Sequence, residues 1–193
     1  MVRIKRALHA LMARFCDTLY ADDPDTLAHS RRVARYAELI AKDMGLPPSA
    51  RQRIYRAALL HDIGKLAVPK SILRKPAKLT VAETRKIAEH PRISRTILSR
   101  YRPFADILAA VLHHHERFDG KGYPEGLAGS AIPMESRIIA VADTFDAMTS
   151  GRPYRERVPF PLAAREMALL ADRQFDARIL NHLHRLLPRL EAR

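Results

Sequence analysis

Apolar residues recur at helical spacing along nearly the whole chain, whereas the alternation typical of β-strands is absent. A first helix is predicted over residues 1–20. Its apolar face consists of Leu8, Leu11, Phe15 and Leu19. This face is expected to pack on the rest of the domain, with a second subunit in a homodimer as the alternative. A second helix is predicted from an acidic cap and proline at Asp23 and Pro24 to Gly45.

Capping signals divide the rest of the chain into further helices. Proline and serine at positions 47–49 open a third helix, which is expected to end near Gly64. Thr80 and Glu83 have the spacing of a capping box that opens a fourth helix, and Pro103 opens a fifth. Further helices are predicted over residues 134–149, 161–172 and 175–187. The pattern predicts an all-α bundle with one long irregular segment, rich in glycine and proline, over residues 118–133.

Length and composition are typical of a single helical domain. The chain has 193 residues, of which 47% are hydrophobic and 6% aromatic, and it has one cysteine. A core can therefore form, whereas an intramolecular disulfide cannot. No apolar run approaches the roughly 20 residues that cross a bilayer, and no signal-peptide core is present. These features predict a cytoplasmic protein that does not act at a membrane.

The chain is strongly basic, with a formal net charge of +13. A field of this sign favours anionic partners such as nucleotides, nucleic acids or an acidic protein surface. The arginines are scattered, and the sequence contains no nucleic-acid-binding motif or basic block with interleaved aromatic residues. Nucleic acid is therefore not a predicted partner. A solvated, arginine-rich surface is the alternative to a binding role.

Histidine and aspartate occur at positions where apolar helical runs end. His61 and Asp62 follow the run at positions 57–60, and His114 and His115 form a second adjacent pair. Asp143 follows another apolar run, where a buried carboxylate needs a counter-charge or a metal. Imidazole and carboxylate are common ligands of divalent transition metals, and helical bundles hold such ions with inward-pointing side chains. A lone histidine is more often structural, so the prediction depends on the combination.

Several motifs resemble those of a known family. The residues at positions 61–65 are HDIGK, which resembles the signature of the HD superfamily of metal-dependent phosphohydrolases. The residues at positions 114–124 are HHERFDGKGYP, which closely resembles the HD-GYP subfamily. Further matching motifs follow in the family's order from about residue 24 to residue 180. The resemblance implies an HD-type helical bundle with a metal centre in its core, formed by a catalytic domain over residues 21–193.

The resemblance assigns seven metal ligands position by position. They are His29, His61, Asp62, His90, His114, His115 and Asp143. Asp62 would bridge two divalent ions, with iron or manganese favoured and nickel, cobalt or zinc open. Asp25 lies one helical turn before His29 and is a candidate ligand of a third ion, although a first-turn acid stabilised by the helix dipole is the favoured interpretation. Glu116 and Asp146 are expected to orient ligands rather than to bind metal.

The same resemblance implies a phosphodiesterase that hydrolyses cyclic di-GMP to linear pGpG, to GMP or to both. A hydroxide that bridges the two ions would attack phosphorus, with Asp62 in the catalytic centre. Lys65 would contact and stabilise a substrate phosphate, and Tyr123 would bind the substrate from the irregular segment. Arg152 and Arg155 match positions that hold phosphate or base edges. Arg155 stands where lysine is usual, which keeps the charge but changes the donor geometry.

Two other functions are compatible with these residues. The first is an HD phosphohydrolase that acts on another nucleotide or cyclic dinucleotide. The second is a signalling module that binds cyclic di-GMP or a partner protein without turnover, which the complete ligand set argues against. About 20 residues precede the matched region, too few for a sensor domain. A regulatory or sensor protein is therefore a candidate partner, and the chain is a standalone enzyme, a partner-regulated one or a fragment.

Overall fold

The computed structural model describes residues 23–150 and 157–191. The predicted helix over residues 1–20, and also Arg152 and Arg155, lie outside this range. Within it, nine α-helices are connected by turns and short 3₁₀ segments, and no strand longer than an isolated bridge occurs. The helices are α1 (Pro24–Asp43), α2 (Pro48–Leu60), α3 (Lys70–Leu73), α4 (Val81–Ala88), α5 (His90–Ser99), α6 (Leu108–Leu112), α7 (Met134–Thr149), α8 (Phe160–Ala168) and α9 (Ala177–Glu191). The predicted all-α architecture is confirmed.

Local capping explains where two of the helices start. The Asp23 side chain accepts a 3.3 Å hydrogen bond from the amide of Thr26, and Pro24 occupies the first turn of α1. At the start of α4, Thr80 and Glu83 form the predicted capping box, in which each side chain accepts a bond from the other residue's amide. These caps satisfy amides that a helix leaves without an internal partner.

The structure differs from the sequence pattern at Gly64 and around Pro103. The α2 helix ends at Leu60, and Gly64 lies inside a 3₁₀ segment over Ile63–Ala67, so its interpretation as a helix terminator is wrong. Glycine is required there because an added Cβ would collide with the carbonyl oxygen of His90 and with Ser94. The predicted fifth helix begins instead as a 3₁₀ segment over Arg102–Ile107 and becomes α-helical only in α6.

The core lies mainly between α1, α2 and α7, which pack against one another. The α7 helix contributes fully buried Ile138, Ile139 and Phe145, and α1 contributes Val33 and Ile40. Burial of each such side chain stabilises the fold by about 1.5–3 kcal/mol. Because these helices are fixed by apolar contacts, the polar side chains at their edges are held at defined positions relative to one another.

Candidate metal centre

All seven predicted ligands meet at one place in the described fold. They are contributed by α1, by the end of α2, by the start of α5, by the segment after α6 and by α7. Their potential ligand atoms form two groups, and within each group the atoms lie within 4.8 Å of one another. The first group is Asp62, His90, His114 and His115, and the second is His29, His61 and Asp143. A set of this composition could hold divalent metal.

Asp62 lies between the two groups and faces both of them. Its Oδ1 is 3.2 Å from Nε2 of His90 in the first group. Its Oδ2 is 3.4 Å from Nε2 of His61 and 3.9 Å from Nε2 of His29 in the second. The carboxylate is 1% exposed. Its two oxygens are therefore directed towards different groups, as a carboxylate that bridges two ions requires.

Backbone carbonyls orient three of the imidazole rings. Nδ1 of His61 lies 2.6 Å from the carbonyl of Ala58, and Nδ1 of His114 lies 2.6 Å from that of Val111. His90 makes the same contact with the preceding turn at 2.7 Å. A carbonyl can only accept, so Nδ1 carries the proton and donates it. In the neutral imidazole this leaves the lone pair on Nε2, which points into the cluster.

Some of the inward-facing atoms have no hydrogen-bond donor from the protein, and this observation tests whether the residues fit a metal. Nε2 of His61 and Oδ1 of Asp62 are buried without a hydrogen-bond partner. Nε2 of His90 and Nε2 of His114 face each other at 3.2 Å, where two lone pairs would repel. Buried acceptors without donors are costly in a folded protein. A cation between them would remove the cost, so this donor set fits a metal site.

The electrostatics keep Asp62, His114 and His115 in protonation states that bind metal. Burial, together with the neighbouring imidazoles, holds the pKa of His114 well below its ordinary value, and burial lowers that of His115 to about 3. Burial alone would raise the pKa of Asp62, but His61 and Lys65 hold it well below the ordinary range. Neutral imidazole and ionised carboxylate are the forms that bind divalent ions.

The His29 ring differs from those three rings because its Nδ1 contacts a side-chain carboxylate instead of a backbone carbonyl. Oδ2 of Asp146 lies 2.7 Å from Nδ1, and Oδ1 of Asp143 lies 3.1 Å from Nε2. Burial lowers the pKa of His29, but the hydrogen bonds to these two carboxylates outweigh it and raise the pKa to about 9. Asp146 thus orients His29, as its expected role requires.

A metal ion bound by His29 would compete with this proton, so metal affinity is expected to depend on pH. With a pKa raised to about 9, the His29 ring carries a proton at neutral pH in the metal-free protein, and metal binding would release it. We expect the metal affinity of the group formed by His29, His61 and Asp143 to fall by about tenfold per pH unit as pH decreases from 9 towards 6.5. Mn²⁺ titrations at several pH values, with proton release recorded in weak buffer, measure this slope. A constant affinity across the range would contradict it.

The predicted substrate contacts in the described range lie beside the cluster. Nζ of Lys65 is 2.5 Å from Oδ2 of Asp62. The ring of Tyr123 lies against that of His115, with centroids 4.9 Å apart. Burial, followed by the charges of nearby carboxylates, raises the pKa of Tyr123, so its hydroxyl stays protonated. Asp25 is exposed in the first turn of α1 and is not among the grouped ligand atoms.

The irregular segment is held against the cluster by contacts that the sequence did not indicate. Glu116 was expected to orient a ligand, but its Oε1 accepts a 2.7 Å bond from the amide of Glu125. The amide of Tyr123 donates to the carbonyl of His115 at 3.3 Å, and Arg92 donates to that of Pro124 at 3.0 Å. Together these contacts fix the loop that carries Tyr123.

Ser94 is another residue whose role the sequence did not reveal. It is fully buried, and its hydroxyl accepts a 2.8 Å bond from the amide of Gly64 and donates a 2.9 Å bond to the carbonyl of His61. Ser94→Ala leaves a buried amide without a partner, so we expect a loss of about 1–3 kcal/mol in the free energy of unfolding. Ser99→Ala, at the exposed end of the same helix, is the control in urea unfolding and should change little. An equal loss in both variants would contradict the role of Ser94.

Comparison with known proteins identifies the class to which this fold and cluster belong. The HD domain family matches residues 14–179. The chain therefore belongs to the HD domain family, and the predicted resemblance to its HD-GYP branch is confirmed by curated relatives. In the described range, no helix combines the length and apolar character that spanning a bilayer requires.

Relatives that are equally similar to this chain are named for different cyclic dinucleotides. The cyclic di-GMP phosphodiesterase response regulator RpfG of Xanthomonas campestris pv. campestris is 42% identical over 182 residues, which cover 93% of this chain and 48% of that protein. The 3'3'-cGAMP-specific phosphodiesterase 3 of Vibrio cholerae is 42% identical over 156 residues, which cover 81% and 34%. This chain thus spans about half or less of the length of these relatives.

A solved structure supports the fold independently. The HD domain of the Listeria monocytogenes phosphodiesterase PgpH superposes with a TM-score of 0.66 at 17% identity, over 92% of this chain and 97% of that one. At this identity the likeness concerns the fold alone. It confirms the predicted HD-type helical bundle.

Proposed function

We propose that this chain is a metal-dependent phosphodiesterase that hydrolyses cyclic di-GMP. The observation that carries the proposal is the position of Asp62 between two groups of imidazole and carboxylate ligand atoms. The proposed ligands are His29, His61, Asp62, His90, His114, His115 and Asp143. When bound, two metal ions supply an activated water and neutralise charge on the phosphate oxygens. Iron or manganese is the proposed metal, because the ligand set mixes imidazole with carboxylate.

The chain's own residues would bind and orient the substrate at this centre. Lys65 lies beside Asp62, where its ammonium group would stabilise negative charge that develops on a phosphate oxygen. Tyr123 offers a protonated hydroxyl and a ring surface at the edge of the cluster, suited to a phosphate and a guanine base respectively. Arg152 and Arg155 are proposed as further contacts to phosphate or base edges.

Cyclic di-GMP is the proposed substrate because the resemblance and several relatives point to it. RpfG and the cyclic di-GMP phosphodiesterase of Thermotoga maritima, which is 41% identical over 160 residues, carry this activity in their names. Cyclic GMP-AMP is the second candidate, since a relative of equal identity to RpfG is named for it. The net charge of +13 favours either dianionic substrate.

Reconstitution of the full chain tests the proposal. The protein is depleted of metal, loaded anaerobically with Fe²⁺ or Mn²⁺, and incubated with cyclic di-GMP and with cyclic GMP-AMP in parallel. We expect metal-dependent conversion of cyclic di-GMP, and product identification separates pGpG from GMP. Preferential turnover of cyclic GMP-AMP would replace the substrate and keep the reaction. Full metal occupancy without turnover of either dinucleotide, or of a generic phosphodiester, would favour a binding module instead.

Assembly and regulation belong to the same proposal. We propose a cytoplasmic enzyme for which a regulatory or sensor protein is a candidate partner. The apolar face predicted over residues 1–20 is a candidate contact within the chain or with a second copy. Light scattering gives the oligomeric state directly. A monomer would exclude the homodimer as the resting form.

A further inference from the structure

Arg32 binds both oxygens of the carboxylate that orients His29. Its Nε donates to Oδ1 of Asp146 at 2.7 Å and its Nη2 donates to Oδ2 at 3.0 Å. Oδ2 of Asp146 is also the partner of His29 Nδ1 at 2.7 Å. The chain of contacts therefore runs from a partly exposed arginine, through a fully buried carboxylate, to one of the proposed ligands.

This arrangement sets His29 apart from the other oriented rings. His61, His90 and His114 each direct Nδ1 to a backbone carbonyl of the preceding turn. Those acceptors are part of the main chain and no side-chain substitution removes them. The acceptor for His29 is a side chain 117 residues away in sequence, whose own position depends on Arg32 and on a 3.2 Å bond from Ser150.

We propose that Arg32 is a positioning residue that controls metal affinity selectively in the group formed by His29, His61 and Asp143. A bidentate guanidinium fixes the plane of the Asp146 carboxylate, and the carboxylate in turn fixes the ring of His29. The group of Asp62, His90, His114 and His115 approaches this network at Asp62, whose Oδ2 lies 3.9 Å from Nε2 of His29. The proposal rests on the proposed metal centre, but it concerns metal binding and is independent of which dinucleotide is hydrolysed.

Lysine cannot reproduce the contact that the proposal requires. An ammonium group carries the same charge, but it lacks the planar pair of donors that engages both carboxylate oxygens. Arg32→Lys should therefore lower the metal affinity of the group that contains His29 in part, and Arg32→Gln should lower it further. Arg35 lies one turn further along α1, exposed to solvent, and Arg35→Gln is the matched control for the loss of one positive charge.

Mn²⁺ binding to the metal-depleted full chain tests the proposal, with free Mn²⁺ followed by electron paramagnetic resonance at one fixed pH. We expect two binding steps in the wild-type chain. Arg32→Gln should raise the Kd of one step by roughly 10- to 100-fold and leave the other unchanged, whereas Arg35→Gln should change neither.

A double-mutant cycle with Asp146→Asn shows whether Arg32 acts through that carboxylate. If it does, Arg32→Gln should add little to the loss already caused by Asp146→Asn. Equal weakening of both steps, an equal effect of Arg35→Gln, or full additivity in the cycle would overturn the role of Arg32. Fewer than two Mn²⁺ ions bound by the wild-type chain would contradict the metal centre itself and this proposal with it, whereas missing hydrolysis with two ions bound would contradict only the proposed reaction.

Discussion

The Asp62→Asn variant is expected to lose bound metal and to hydrolyse its substrate at least about a thousandfold more slowly. Asparagine keeps the shape of the side chain but removes the charge and replaces one oxygen by a donor group. That donor would face the imidazole of either His90 or His61, which Asp62 approaches at 3.2 and 3.4 Å. Bound metal contributes several kcal/mol of transition-state stabilisation, and about 4 kcal/mol corresponds to about a thousandfold in rate.

Metal analysis and steady-state hydrolysis of the same preparation check this result. Asp43→Asn is the control, since Asp43 lies at the end of α1 and pairs with His182 and Arg185 at 2.8 and 3.1 Å. It removes the same charge outside the cluster and should retain metal and rate. An Asp62→Asn chain that still holds two ions and turns over at the wild-type rate would disprove the bridging role.

The sequence predicted those parts of the fold that depend on neighbouring residues. The α7 helix spans the predicted residues 134–149, and the predicted capping box at Thr80 has both of its hydrogen bonds. Both features could be predicted because apolar periodicity and capping depend only on residues close in sequence. The ligand set came from the ordered motifs of the HD-GYP resemblance. The structure brings those side chains together, and their assignment to metal is a proposal that the experiments above test.

Contacts between distant segments were not accessible to the same reasoning. Gly64 was interpreted as a helix terminator, since no local pattern reveals that Ser94, 30 residues away, packs against it. The ion pair of Arg32 with Asp146 joins residues 114 positions apart, and each residue alone resembles an ordinary charge on a helix. Such pairings depend on how α1 and α7 pack, which a single sequence does not encode in any short window. The roles of Arg152 and Arg155 stay predictions.

Gly122→Ala is expected to lower the hydrolysis rate by at least roughly a hundredfold. A Cβ at this position would collide with the backbone of three consecutive residues, at the carbonyl of His115, the Cα of Glu116 and the amide of Arg117. Backbone atoms cannot rotate away, so the loop or the His115 segment must move. A displacement of about 1 Å at a reacting centre can cost about a hundredfold in rate. Both His115 and Tyr123, which contact each other at 4.9 Å between ring centroids, would be displaced.

Gly129→Ala separates this steric effect from the conformational freedom of glycine in the same loop. Gly129 has a φ of +56°, but an added Cβ would meet nothing within 4 Å, so alanine there costs roughly 1–2 kcal/mol of backbone strain and no collision. We expect Gly129→Ala to lower the midpoint of thermal unfolding but to keep the hydrolysis rate and the metal content of the wild-type chain. Gly122→Ala should have a lower hydrolysis rate even at a temperature where it is fully folded. Equal hydrolysis rates in the two variants would show that the reaction tolerates a displacement of the loop. The backbone position of Tyr123 would then be unimportant for hydrolysis.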